Sequence, residues 1–104
     1  MSILEIIKRD HPSWIIVGPK SDGSIAIKIS LLFPEFKSAF SFMTMVALKS
    51  EEINHHPTWT NVYNKLSILL TTHDKGNQLG EADLVLVKWI ENCIALFKVL
   101  ITHE

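Results

Sequence analysis

Cysteine occurs once in this chain, at position 93, so no intramolecular disulfide can form and a thiolate zinc site has too few ligands. A reducing compartment fits that usage. Excess charge of one sign is also missing, with 10 Lys and Arg against 11 Asp and Glu, and the lysines are scattered. A phosphate-binding surface needs concentrated positive charge, so direct nucleic-acid binding has no electrostatic support. No apolar run approaches the roughly 20 residues that cross a bilayer. The opening MSILEIIKRDHPSW lacks the basic start, long apolar stretch and small-residue cleavage site of a signal peptide. Nothing reads as a linker, a low-complexity tract or an internal repeat. These absences predict a soluble, cytoplasmic protein forming one domain over residues 1–104.

What is present is 47% hydrophobic and 20% charged, the composition of a folded chain. Residues 2–9, SILEIIKR, suit a short helix capped by Ser2, ended by Asp10, His11 and Pro12. SWIIVG reads as a brief strand and PKSDGS as a turn. Ile25, Ile27, Ile29 and Leu31 then alternate with Ala26, Lys28, Ser30 and Leu32, the period of a strand with one buried face, and the two strands should form an antiparallel hairpin.

From Pro34 the period changes. Over residues 34–52, Phe36, Phe40, Met43 and Ala47 make one helical stripe, and Phe42, Met45 and Val46 make a second. Either the helix has a broad core face or it also packs against another subunit. TWTNVYNKLSILLTTH reads as two strands with a bend at Asn64 and Lys65. DKGNQLGEAD is a loop. A closing helix is expected over EADLVLVKWIENCIALFKVLI, with Leu84, Val87, Ile90, Ile94 and Phe97 on one stripe and Leu86, Trp89, Cys93, Leu96 and Leu100 on another. The order αββαββα predicts an α+β fold, a four-stranded antiparallel sheet with three helices packed on one face.

Five histidines invite a chemical reading. His55 and His56 are adjacent, and on extended backbone neighbours point to opposite sides, which makes them poor joint metal ligands. Adding His73 gives three imidazoles, and no metal site is expected from them. Histidine donates and accepts protons near neutral pH, so grouped imidazoles can divide protonation of a leaving group from removal of a substrate proton. Alternatively, His55 and His56 only punctuate a helix end with Pro57 stopping it. His11 and His103 are expected on the surface.

EEINHHPTWTNVYNKLSILLTTHD, residues 51–74, closely resembles the signature of the pterin-4a-carbinolamine dehydratases: Glu four residues before His-His-Pro, then Trp, then Asn-Val-Tyr-Asn, then Thr-His-Asp. FPEFKSAFSFMTMVALKSEE resembles that family's central helix, and Trp14 stands where its first strand carries a tryptophan. The resemblance implies dehydration of 4a-hydroxytetrahydrobiopterin to quinonoid dihydropterin during tetrahydrobiopterin recycling, with no metal or other cofactor. It implies His55, His56, His73 and Glu51 as catalytic residues, with His56 as the acid and the other two imidazoles holding the pterin and serving as base. Asn54, Pro57, Trp59, Thr71, Thr72 and Asp74, with the three histidines, would contact the pterin. Glu51, one helical turn before His55, would either orient that imidazole or remain a solvated carboxylate at the helix end. The resemblance also implies a homo-oligomer, tetramer or dimer. Animal members additionally act as dimerisation cofactors of a transcription factor, which makes a protein-interaction role the alternative. The chain departs from the pattern in one extra residue between His73 and Asp83, in Gln78 where Gly is favoured, and in Gly80 where a capping Ser or Thr is usual. Asp83 matches an acidic position, though so near a helix start it would serve the dipole alone equally well.

Overall fold

A computed structural model describes residues 1–73, 76 and 78–103. Its elements are α1 (Ile3–Asp10), β1 (Ile15–Val17), β2 (Ala26–Leu32), α2 (Phe36–Ile53), β3 (Thr58–Val62), β4 (Lys65–Leu70), α3 (Glu81–Ile94) and β5 (Leu100–Thr102). Ser2 starts α1 through a reciprocal cap: its hydroxyl accepts from the Glu5 N–H and the Glu5 carboxylate accepts from the Ser2 N–H, each at 3.1 Å. The hairpin forms as expected, with Ile16 opposite Ile27. Gly18 is required at its turn, because a Cβ there would meet the Ser24 carbonyl at 2.6 Å and the backbone has φ +104°.

β2 is the hub of the sheet. β4 pairs along one edge through Ile27–Leu32, while β1 takes Ala26–Lys28 and β5 takes Ser30–Leu32 on the other, and β3 lies outside β4. Directly opposed residues share a face, so Ile27, Ile29 and Leu31 form one apolar layer with Leu66, Ile68 and Leu70. α2 and α3 pack against each other, and their buried residues join that layer in a single core. α1 reaches α3. The Trp89 indole N–H donates to the Met45 carbonyl at 3.1 Å, tying α3 to α2.

Two helical details differ from the sequence-based expectation. The core stripe of α2 is Ala39, Phe42, Val46 and Ser50, while Phe36 and Phe40 face outward at 42% and 53% exposure, with Leu48 at 68%. The closing helix stops at Ile94 instead of running on to Ile101. Leu96 and Phe97 make short-range turns to Cys93 and Ile94, and Phe97 seats its ring 6.2 Å from Phe33 and 6.0 Å from Phe42. Anchoring Phe97 there redirects the chain, and the β-branched Ile101 and Thr102 then fill the half of the β2 edge that β1 leaves open. The α+β architecture is therefore the expected one, with a fifth short strand added to the sheet.

Candidate active site

The His-His pair is placed by the way α2 ends. Asn54 adopts the left-handed conformation, φ 53° and ψ 47°, which Asn tolerates better than most side chains. The Asn54 N–H donates to the Glu51 carbonyl at 3.3 Å and the His55 N–H to the Ser50 carbonyl at 3.0 Å. These are the two bonds of a Schellman motif. The helix is thus stopped by Asn54, three positions before Pro57, and the backbone of His55 is fixed to the helix end.

The side chain of His55 reaches α3. Its Nε2 lies 2.6 Å from Oδ1 of Asp83, a carboxylate with no solvent exposure. The other Asp83 oxygen accepts from the Thr72 hydroxyl at 2.6 Å and from the Gly80 N–H at 2.9 Å. Gly80, the residue before α3, has no side chain with which to cap it, and Asp83 makes the other half of a capping box by accepting the Gly80 N–H from within the first turn. A buried carboxylate needs donors on each oxygen. Accordingly the neutral His55 ring must carry its proton on Nε2, toward Asp83, with the lone pair on Nδ1.

His56 is arranged differently. Its Nε2 is 3.5 Å from Oε1 of Glu51, and the side chains are 53% and 79% exposed. Glu51 therefore partners His56, and the imidazole it was expected to orient, His55, belongs to Asp83. His73 follows Thr72 directly, yet it borders a cleft of 170 Å3 on the β1–β2 turn, whereas Thr72 bonds Asp83. Thr71 also borders this cleft, and its hydroxyl donates to the Ile25 carbonyl at 2.7 Å. Trp59 sits opposite Ile68 and packs half-buried against the core. Pro57 is half-buried and Asn54 exposed. Asp74 lies outside the described residues. Among the described residues no group of three or more His, Cys, Asp and Glu is placed to hold a metal ion.

Sequence reasoning missed two pairings. Asp83 reads as an acidic position of the family or as a helix-start acid, and the pattern of the chain carries no sign that it would meet a histidine 28 positions earlier. His11, expected on the surface, is 9% exposed and places Nδ1 2.7 Å from Oε1 of Glu91, which ties the end of α1 to α3.

In this α+β sheet protein the three imidazoles thus have three settings: His55 on a buried carboxylate, His56 exposed beside Glu51, and His73 on the cleft, next in sequence to the threonine sharing that carboxylate. The chain belongs to the pterin 4 alpha carbinolamine dehydratase family, whose sequence model matches residues 2–93. A Burkholderia orbicola protein provisionally named as such a dehydratase is 45% identical over 86 residues, 83% of this chain and 79% of the relative. One from Rhizorhabdus wittichii, named in the same way, is 51% identical over 80 residues, 77% of each chain. The crystal structure of a transcriptional coactivator/pterin dehydratase from Brucella melitensis superposes with a TM-score of 0.76 at 30% identity, over 89% of this chain and 96% of that one. Among the described residues no helix is long and apolar enough to cross a membrane.

Proposed function

We propose that this protein dehydrates 4a-hydroxytetrahydrobiopterin to quinonoid dihydropterin and water, as a cytoplasmic, single-domain hydro-lyase in tetrahydrobiopterin recycling that works without a metal or other cofactor. The observation that carries the reading is the unlike setting of two adjacent imidazoles. His55 is held with its Nε2 proton on buried Asp83, so its Nδ1 is a base. His56 is half exposed beside Glu51, so it exchanges protons with water and is the acid. In the reaction His56 protonates the 4a-hydroxyl, the C4a–O bond breaks with its electron pair leaving on water, and His55 accepts a ring N–H proton. Proton return from His55 and to His56 through solvent closes the cycle. His73, with Thr71, Thr72 and Asp74 in its segment and with Asn54, Pro57 and Trp59 around the histidine pair, holds the pterin.

The decisive experiment follows loss of 4a-hydroxytetrahydropterin with purified protein. A rate well above buffer is expected. A folded protein no faster than buffer would end the enzyme reading. A protein-interaction role is supported separately by the outward residues Phe36, Phe40 and Leu48 of α2 and by the similar Brucella protein's being called a transcriptional coactivator as well as a pterin dehydratase. The same residues suit a homo-oligomeric contact, dimer or tetramer, because single apolar residues are common on surfaces whereas a helical row of them buries well against a copy of itself.

A further inference from the structure

The segment after β4 shows its two sides to different parts of the molecule. Thr71 and His73 border the cleft on the β1–β2 turn, while Thr72 between them is 8% exposed and turns to α3, as successive side chains of an extended chain do. Its hydroxyl has one proton to give. Oδ2 of Asp83 takes that proton at 2.6 Å, the short distance of a bond to a charged acceptor. Thr72 therefore has none left for a pterin.

This hydroxyl is not what holds the segment. The Thr72 N–H donates to the Gln78 carbonyl at 2.8 Å, and the Thr71 hydroxyl donates to the Ile25 carbonyl at 2.7 Å. Neither bond needs the Thr72 side chain. What the hydroxyl does hold is Asp83. Of the two donors to Oδ2, the Gly80 N–H sits at the start of the same helix, three residues from Asp83, and moves with it. The Thr72 bond ties that oxygen to a different part of the fold. The terminal torsion of an aspartate is broad and two-fold, so the side chain's own preference leaves the carboxylate free to turn. With Thr72 on Oδ2, it is set so that Oδ1 meets His55 Nε2 at 2.6 Å. A buried carboxylate that loses one donor turns to share those that remain, and the bond to His55 slackens.

We propose that Thr72 is a positioning residue for the base: its hydroxyl locks the Asp83 carboxylate, and the locked carboxylate keeps the His55 proton on Nε2 and the Nδ1 lone pair available to substrate. The inference rests on the dehydratase reading for the reaction that His55 serves, while the link from Thr72 to His55 stands without it.

Variants of the whole chain separate this role from packing. Thr72→Val keeps the shape and removes the hydroxyl, and Thr72→Ser keeps the hydroxyl. Proton NMR follows the imidazole N–H that a bond to a carboxylate holds far downfield and protects from exchange. His55 gives one such signal through Asp83, assigned by its loss in His55→Gln, and His11 gives a second through Glu91, 2.7 Å away, as an internal reference. Thr72→Val should lose the His55 signal and leave that of His11, and Thr72→Ser should keep both. In the dehydration assay Thr72→Val should lower kcat roughly 10- to 100-fold with KM within about twofold, because His73 and its segment stay in place. Thr72→Ser should recover most of the rate. A wild type without the His55 signal, a signal unchanged in Thr72→Val, or loss of the His11 and His55 signals together would overturn the proposal. So would a raised KM with kcat unchanged, which belongs to a direct pterin contact. If Thr72→Val does not fold, Thr72→Ala takes its place, and failure of both to fold makes the hydroxyl a structural requirement and ends the proposal. The expected NMR changes in a protein that does not dehydrate would end the dehydratase reading and leave the Thr72 link to His55 supported.

Discussion

Asp83 and His55 lie 28 positions apart in the chain and 2.6 Å apart in space, and their bond joins the C-terminal end of α2 to the first turn of α3. The same carboxylate receives Thr72 and Gly80, so one buried side chain serves the helix start, the strand exit and an imidazole. Separating these roles requires a substitution that keeps the shape. Asp83→Asn retains one acceptor oxygen. If that oxygen stays with Thr72 and Gly80, the amide N–H group faces His55 and forces the proton onto Nδ1, removing the base. We expect kcat to fall by about 10² or more with the fold retained, and the alkaline or acid limb of the pH–rate profile to move. Asp83→Ala, which strands three donors, should instead cost about 3 kcal/mol in chemical denaturation. An unchanged pH–rate profile in Asp83→Asn would make Asp83 purely structural.

His55 and His56 should behave unlike one another when removed. His56→Ala is expected to lower the dehydration rate by about 10² and to leave the thermal midpoint nearly where it was, since an exposed pair contributes under about 1 kcal/mol. His55→Ala should lower both, because it leaves an oxygen of Asp83 without its donor. Calorimetry alongside the rate assay distinguishes the two, and matching stability losses would argue against the assignment.

The outward row on α2 should assemble the protein. Sedimentation of wild type at micromolar concentration is expected to give a dimer or tetramer, and Phe40→Glu or Leu48→Glu to shift it toward monomer. A strictly monomeric wild type would show that the row is only surface.

Cys93 is 1% exposed, and burial pushes its thiol pKa up. A thiolate reagent should leave the native protein unlabelled and react once it is unfolded. The raised native pKa also has a sign in stability. The contribution of the neutral thiol is whole below the unfolded value of about 8.5 and fades as pH rises through the native one. Cys93→Ala should therefore lose less stability than wild type between neutral and alkaline pH, measured relative to its own value at neutrality.

Local pattern carried far in this chain. The alternation through Ile27, Ile29 and Leu31 named the buried face of β2, and Ser2 with Glu5 marked the start of α1. Where two stripes shared one helix, pattern was mute: Phe36 and Phe40 look as apolar as Phe42, and only the neighbouring sheet and α3 decide which faces inward. The end of α3 was hidden for the same reason, since Phe97 leaves the helix to reach Phe33 and Phe42. In the site, the family signature pointed to the histidines. Their carboxylate partners were a matter of tertiary geometry, and nearness in sequence favoured Glu51 for His55 when Asp83 holds it.

β5 closes a gap. β1 covers only the first half of its edge of β2, and Leu100–Thr102 cover the second, pairing Ser30 with Thr102. Two strands of three residues leave no long run of unpaired backbone there, so this edge offers little template for adding a foreign strand. Shortening the chain before Leu100 would uncover the backbone of Ser30, Leu31 and Leu32, in a stretch rich in aliphatic side chains. The last strand is thus a guard against aggregation, and tags or fusions that pull it away from β2 would be expected to show their effect first as lost solubility.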